Sequence, residues 1–577
     1  MPKRTVAFVS YESSYAPAGG LAAVMSRLPL AVERRLGCRA LLLAPFFPRH
    51  PRTREAVEKG ELSPVGDPFE VWFAGGVHEV TAYGKEVESS SGGRIVHLLG
   101  ADGFFDAEAN PYVFPGDQGD RLLRRNAYFF CAAAGAFLKL ATPKGCLVHP
   151  QDWHGALVVD ALPDAGFKCV LTLHNPYDQP LHPEEFAWLF ETAPPPVPQN
   201  STVLKHALRR VAAVSAVSEN FALELTRESP FVDVLVPHLQ GELRAKPPVG
   251  INNGKFVDLR EGLDSLLLGD GSPPEDRELA RSFADFKRGA RDRLNDVFET
   301  SSGRLLREEA WGACEFGEFF DPLFVMFGRD DPRQKGFDVF AQVARELLEG
   351  GPDGGAGSRF AFTPLPGPHG KASLAYLEQL ASDFPDKVTV FPSRMSVGYV
   401  ELMEAATYLV MCSLYEPFGG ATEGYARGVP VVARATGGLV QQVDPLNFDA
   451  LPQQVKTLVV KYHGVGRRPT GFLFKEPGPT NPREAELRSE EWRRVFAAPF
   501  LNQSPVGNSL ESRSSMKLFG QLVASAKQAT LHAAKVYQDR FEEYYRMARN
   551  GAALLDRFTW EKSAEAYGRL LYSRASN

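Results

Sequence analysis

Cysteine is scarce. The chain holds six in 577 residues, at Cys38, Cys131, Cys146, Cys169, Cys314 and Cys412, and no two are close enough in sequence to form a metal-type pair. Four lie in apolar or small-residue surroundings, where cysteine behaves as a small hydrophobe. They read as reduced core thiols, and a disulfide framework is not expected. Long apolar runs are missing too. No stretch approaches the roughly 18 uninterrupted apolar residues of a membrane span. After Met1-Pro2-Lys3-Arg4, the run from Thr5 to Ser10 is too short for a secretory apolar segment, and no small-residue cleavage site follows. The expected location is the cytoplasm. Positive charge is not in excess either. The formal net charge is -6, which argues against a general nucleic-acid binder. A phosphate-bearing substrate would need a local basic patch.

What is present is ordinary for a globular chain: 44% hydrophobic and 23% charged residues. The length exceeds one core and suggests about two to four domains. Short β-branched apolar runs alternate with helical patterns. Val6–Ser10, Ala40–Ala44, Cys146–His149, Cys169–His174 and Val211–Val217 read as buried strands. Ala22–Arg35, Arg121–Leu140 and Glu219–Arg227 read as helices between them. The alternation predicts a parallel sheet covered on both faces. It then restarts. Leu323–Phe327, Phe360–Pro364, Val388–Phe391, Tyr408–Met411 and Val429–Ala433 read as strands, with helices over Phe337–Glu349, Ala372–Asp383 and Thr422–Arg427. Two successive doubly wound units imply two domains. Gly262–Asp276 and Gly350–Ser358 read as exposed loops, and Glu476–Ser514, rich in Pro, Asn and Ser, as an insertion. From Val523 to Asn550 the pattern is helical again.

Polar clusters follow the strand ends, where ligands of such folds bind. Gly19-Gly20-Leu21 follows the first strand. Glycines permit close approach, and a helix start offers N–H groups to an anion; a plain tight turn needs no more. His149-Pro150-Gln151-Asp152-Trp153-His154 and Leu173-His174-Asn175 follow two later strands. Trp153 could stack on a sugar, and Asp152, His154 and His174 could bond hydroxyls. Each histidine alone reads more readily as a satisfied structural residue, and the spacing does not match a usual zinc site. Gly250-Ile251-Asn252-Asn253-Gly254 is a turn signal. Arg329 and Lys335 flank a strand-to-helix junction and suit a diphosphate leaving group, although a solvated charged loop would look the same. Glu416-Pro417-Phe418-Gly419-Gly420-Ala421-Thr422 puts a carboxylate before a glycine-rich helix start. Its N–H groups from Gly419 to Ala421 could cap a phosphate. Thr436-Gly437-Gly438-Leu439 is a second such loop.

In this order the segments resemble the starch/glycogen synthase family of glycosyltransferases. Gly19-Gly20-Leu21 is similar to its K-T-G-G-L, Asp152-Trp153-His154 to its H-D-W-H, and His174-Asn175 to its I-H-N. Ser215 to Ser218 is similar to its T-V-S, and Gly250 to Gly254 to its G-I-x-N-G. Arg329 with Gln334-Lys335-Gly336 resembles R-x-x-x-Q-K-G, Glu416 to Gly419 E-P-C-G, and Thr436 to Leu439 T-G-G-L. Thr470 to Phe474 resembles T-G-F-x-F, and Phe558-Thr559-Trp560 the closing F-S-W segment.

The resemblance implies an α/β fold of the GT-B kind, with two Rossmann-like doubly wound domains facing across a cleft. The expected division is an acceptor-side domain over 1–310, completed by 551–577, and a nucleotide-sugar domain over 311–550 carrying the 476–514 insertion. It implies a retaining transfer of glucose from ADP- or UDP-glucose to an α-1,4-glucan-like acceptor, with no cofactor and no metal. Glu416, His174, Arg329 and Lys335 would be catalytic. Gly19, Gly20, Asn253, Gly419, Gly420, Ala421, Thr422 and Arg394 would serve the donor, and Asp152, Trp153 and His154 the acceptor. The chain departs from the family at several points. Pro17-Ala18 stand where the lysine of K-T-G-G-L is expected. Arg394 falls near the place of the base-stacking tyrosine, and the Arg329-to-Lys335 interval is one residue longer than in bacterial synthases. A non-glucan acceptor (protein, lipid-linked sugar or small molecule) or a catalytically weak glucan-binding scaffold remain open alternatives.

Overall fold

The structure is a computed structural model. It describes residues 4–84, 96–114, 118–163, 165–227, 234–269, 273–331, 334–350, 357–366, 370–496 and 513–575. Residues 351–356 of the expected loop at Gly350–Ser358 lie outside the described residues. So do 270–272 of the Gly262–Asp276 loop, Pro332 and Arg333, and 497–512 of the expected insertion. The chain divides into two compact units. Among the described residues, the first takes in those up to Gly254 and from Phe558 on, and the second those between Lys255 and Arg557.

The first unit is built on β1 (Thr5–Val9), β2 (Arg39–Pro45), β3 (Ser63–Pro64), β4 (Phe69–Phe73), β5 (Gly76–Gly84), β6 (Val96–Gly100), β7 (Leu147–Pro150), β8 (Lys168–Leu173), β9 (Ala213–Ala216) and β10 (Val249–Gly250). The order is β10-β9-β8-β7-β1-β2-β6-β5-β3, with β4 on β5. From β10 to β6 all pairs are parallel. β1 and β2 are apolar and buried after their first residue, and β7 is buried throughout, as strands covered on both faces are. β5 pairs antiparallel with β6, β3 and β4. Its burial alternates along much of its length, so it carries no continuous apolar run to announce it.

The helix expected over Ala22–Arg35 is two helices, Gly20–Met25 and Leu28–Leu36. Pro29 restarts it: proline lacks an N–H and suits a first turn. The C-terminal segment returns to this unit. His149 is fully buried between Tyr572 OH, 3.0 Å from Nδ1, and Thr172 Oγ1, 2.6 Å from Nε2. Ser563 Oγ donates to Asn252 O at 2.7 Å. Gly254 leaves room for Trp560, whose ring would lie 2.5 Å from an added Cβ.

The second unit holds β11 (Leu323–Arg329), β12 (Arg359–Leu365), β13 (Val388–Val390), β14 (Tyr408–Met411), β15 (Val431–Arg434) and β16 (Gly471–Phe474). They form one parallel sheet in the order β13-β12-β11-β14-β15-β16. Phe324 stacks on Phe360 and Tyr408 across one face, while Val325, Leu409 and Val431 belong to the core on the other.

The unit boundary falls at Gly254/Lys255 and not near 310. Part of the expected loop Gly262–Asp276 is a helix start, because Pro273 opens the 25-residue helix Pro273–Val297. Two buried cations on that helix find their partners in the second unit. Lys287 Nζ donates to Glu404 O and Ala406 O, and Arg291 Nη1 to Phe316 O. These bonds tie the 273–297 helix to the second sheet. The helix Phe541–Leu554 also packs in the second unit, so the returning segment begins at Phe558 and not at 551. The insertion is not irregular throughout: Pro482–Phe496 is a helix.

Candidate active site

In both sheets one central strand is flanked on one side by the strand that follows it and on the other by a strand from later in the chain. The loops leaving the two strands at such a switch point diverge and open a crevice at their carboxyl ends. In the second unit the switch lies between β11 and β14. β11 ends at Arg329, which is exposed. Gly328 has φ +134°, and the Lys335 stem lies over it, 3.5 Å from where a Cβ would stand. Lys335 Nζ reaches the loop after β14 and donates to Glu416 Oε2 at 2.7 Å. Ser413 Oγ donates to the same oxygen at 2.7 Å. Glu416 is 6% exposed, so this carboxylate is held by a cation and a hydroxyl with little water.

Three loops interlock around it. Leu414 N–H donates to Gln334 O at 2.6 Å, and Gly438 N–H to Glu416 O at 3.0 Å. Gly437 has φ +47°, and an added Cβ would meet Glu416 O at 1.7 Å. Glycine is required there by both conformation and space. Gln442, fully buried, clamps the turn that follows. Its Oε1 accepts the Ala421 N–H at 3.1 Å and its Nε2 donates to Phe418 O at 2.8 Å. The Ala421 N–H is therefore already engaged, which corrects the expectation that it caps a phosphate. Gly419, at φ +98°, packs against Leu439, and Gly420 against Phe327. Thr422 is fully buried, and its Oγ1 has no partner among the described residues. Burial raises the Glu423 carboxyl above its usual range, against the pull of Arg427 and Lys335. Arg394 is exposed on the loop after β13, two strands out from β11 on the same carboxyl edge.

In the first unit the switch lies between β1 and β7. The loop after β1 does not offer free N–H groups in the way the Gly19-Gly20 pair suggests. Glu12 Oε2 accepts from Gly19 N–H at 2.7 Å and Ala18 N–H at 2.9 Å, and Tyr112 OH donates to Oε1 at 2.7 Å. A carboxylate already stands where an anion was expected. Asp152, after β7, sits at φ +54°, a left-handed conformation that Asp tolerates better than most residues. Its Oδ1 accepts from His174 N–H at 2.7 Å and its Oδ2 from Asn175 Nδ2 at 3.1 Å. Burial pushes its carboxyl up to about 7. It therefore binds the 174–175 turn rather than facing an acceptor.

His174 Nε2 lies 2.8 Å from Gln151 Oε1 and is the protonated nitrogen of a neutral ring. Burial holds the imidazole down to about 3. Trp153 is 3% exposed and stacked 3.8 Å from the His154 ring, so its face is not presented for a sugar. His154 is itself buried, stacked on Tyr11 and pushed down to about 3 by burial, and its Nδ1 has no partner among the described residues. Asn253 is 4% exposed at the end of β10, and its Oδ1 likewise has no partner there.

The structure thus joins Lys335 with Glu416 in one unit and Asp152 with His174 in the other. Glu12, Gln151, Ser413 and Gln442 are additional to the residues picked from sequence. Ser413 and Gln151 were within reach, since each lies next to a strand end. Glu12 and Gln442 act on backbone groups some distance along the chain and carry no local signal. Among the described residues no group of three or more His, Cys, Asp or Glu side chains is arranged to hold a metal ion, and no helix is long and apolar enough to cross a membrane.

Known proteins give the same outline. The starch synthase catalytic domain family matches residues 5–241, and the family 4 glycosyltransferases of conflict systems match residues 320–470. Glycogen synthase of Xanthomonas axonopodis pv. citri is 25% identical over 457 residues, covering 76% of this chain and 84% of its own. Glycogen synthase 2 of Geobacter sulfurreducens is 26% identical over 513 residues, covering 84% and 91%. The solved catalytic domain of starch synthase IV from Arabidopsis thaliana matches over 100% of both chains with a TM-score of 0.66 at 19% identity, a likeness of fold. Fold, site and relatives together define the class: this is a GT-B glycosyltransferase. Within that class the chain is similar to the starch/glycogen synthases, to their catalytic-domain family over residues 5–241 and to the two glycogen synthases over 76% and 84% of its length.

Proposed function

We propose that the chain transfers glucose, with retention of configuration, from ADP- or UDP-glucose to an α-1,4-glucan-like acceptor. One observation carries the reading: Lys335 and Ser413 converge on the buried Glu416 at the carboxyl edge of the second sheet. Lys335 with Arg329 would hold the diphosphate, and Glu416 would hold the donor sugar. The bond from the anomeric carbon to the phosphate oxygen breaks, and a bond to the acceptor oxygen forms on the same face. The acceptor proton leaves with the diphosphate. Cations and the start of the helix Phe337–Glu349 offset the growing negative charge, so no metal is needed in this reading. His174, neutral and oriented by Asp152 and Gln151, would accept from a hydroxyl of the donor sugar at Nδ1, since its one ring N–H is given to Gln151. Support for the substrates comes from the relatives' names, and from the Arabidopsis structure, solved with ADP and acarbose. Six free cysteines, five of them buried, suit the cytoplasm.

The burial of Trp153 favours a second reading with a non-glucan acceptor, since one aromatic face for a glucan is withdrawn. Release of nucleoside diphosphate from each sugar nucleotide, with and without glycogen, tests both. Glycogen-dependent release from one glucose donor supports the first, and glycogen-independent release the second. No release from any donor overturns both. Release that persists in excess EDTA supports metal independence.

A further inference from the structure

The segment after β16 does more than lengthen the chain. Arg434, at the end of β15, is 2% exposed and serves three masters. Its Nε donates to Glu476 Oε2 at 2.9 Å, and its Nη2 to Glu476 Oε1. Its Nη1 donates to Leu414 O at 2.6 Å, on the loop that carries Ser413 and Glu416. Its guanidinium carbon lies 5.5 Å from the centre of the Trp492 ring, which the helix Pro482–Phe496 supplies. Trp492 is 4% exposed. That helix is itself anchored, because Glu491 accepts the N–H groups of Lys517 and Leu518 at 2.9 Å each. A planar guanidinium fixed by a bidentate carboxylate and an aromatic face has one orientation left for its remaining N–H groups. Here that orientation points at the backbone of the Glu416 loop.

We propose that Arg434, Glu476 and Trp492 are positioning residues for Glu416. The segment beyond β16 sets the geometry of the donor-site carboxylate by way of the Leu414 carbonyl. None of the three touches Glu416 or a substrate. They act through the 413–416 loop, whose Ser413 hydroxyl holds the same carboxylate oxygen that Lys335 holds. The inference rests on the donor role given to Glu416 in the proposed function.

The test uses the full-length chain with ADP-glucose, UDP-glucose and glycogen, together with ADP and UDP affinity by calorimetry. Trp492→Ala and Arg434→Lys should lower kcat at least tenfold while leaving the glycogen KM within twofold. Trp492→Phe, which restores an aromatic face, should recover kcat to within threefold of the parent. Val459→Ala, a core truncation on another helix of the same unit, should lower the melting temperature and leave kcat in place. Unchanged kcat in Trp492→Ala and Arg434→Lys overturns the proposal. An equal loss in Val459→Ala overturns it as well, since any destabilisation would then suffice. If the parent chain turns over neither donor, the proposed reaction fails. The calorimetry then decides the positioning claim: weaker ADP or UDP binding in Arg434→Lys, recovered by Trp492→Phe relative to Trp492→Ala, supports it, and unaltered binding overturns it.

Discussion

Replacing Glu416 by Gln keeps the shape of the side chain and removes its charge. The Lys335 Nζ to Glu416 Oε2 distance is 2.7 Å, with the two side chains 18% and 8% exposed. At an effective dielectric near 20 the gross attraction is about 6 kcal/mol. Desolvation of both groups offsets much of it, and removing one member of such a pair costs about 3 kcal/mol because the other charge is stranded. The amide oxygen still accepts from Ser413, so the folded state should survive with a lower melting temperature. Catalysis should suffer more. A group that meets charge developing in the transition state contributes about 10²-fold or more, roughly 2.7 kcal/mol of barrier. The assay is release of nucleoside diphosphate from ADP- or UDP-glucose with glycogen, run beside a thermal melt. Glu416→Asp, which keeps the charge but withdraws it by one methylene, should also be slow. A Glu416→Gln enzyme with parental kcat would refute the assignment of this carboxylate to the donor site.

Three other outcomes are expected. Gly437→Ala should abolish turnover and destabilise the second unit by more than about 3 kcal/mol, since the new methyl meets the Glu416 carbonyl at 1.7 Å in a left-handed backbone; a soluble, active variant would contradict the packing. Glu12→Ala strips two half-buried N–H groups of their acceptor and should cost about 1 kcal/mol in chemical unfolding, while Glu12→Gln should lose less. Acid should unfold the first unit. His149, His154 and His174 are held down to about 3 by burial, below the ordinary 6.5, so their contribution is complete above pH 6.5 and lost as pH falls toward 3. Asp152, pushed up to about 7 from 3.8, has the opposite sign: its contribution is complete below 3.8 and lost as pH rises through 7. Three histidines against one aspartate leave a net loss on the order of 3 kcal/mol per pH unit between 6.5 and 4.5. Melts across that window should show it, His149→Gln should flatten the slope by about half, and a pH-independent midpoint would rule it out.

The strands of both sheets were legible because each is a short buried apolar run between helical patterns, as at Val6–Val9 and Tyr408–Met411. The hairpin of β4 and β5 was not, because half-exposed strands carry polar residues at alternate positions. The boundary near 310 failed for a different reason. The helix Pro273–Val297 is strongly charged, and nothing local reveals that Lys287 and Arg291 are buried against carbonyls of the second unit. Motif residues were found where spacing along the chain reports spacing in space, as for Lys335 and Glu416 after neighbouring strands. Trp153 was misjudged because aromatic character looks the same whether a ring faces a cavity or packs on His154. Glu12 was passed over because a carboxylate beside a glycine pair gives no sign that it will fill the turn itself.

The two switch points are built with opposite electrostatics, and this division argues for their roles. In the first unit burial drives three groups toward neutrality: His174 and His154 shed their protons and Asp152 keeps one up to about pH 7. Neutral imidazoles and amides can bond hydroxyl groups without carrying a charge that a sugar would have to desolvate. The glycine turn, where a phosphate could otherwise settle, is filled by Glu12, and an anion there would meet a negative oxygen. In the second unit a lysine meets a buried carboxylate directly, and an exposed arginine and a helix start lie on the same loop as that lysine. Only that edge can accept a diphosphate at low cost. The missing lysine before Gly19 then fits the same division, because a cation beside Glu12 would have been spent on a carboxylate already bonded to three donors.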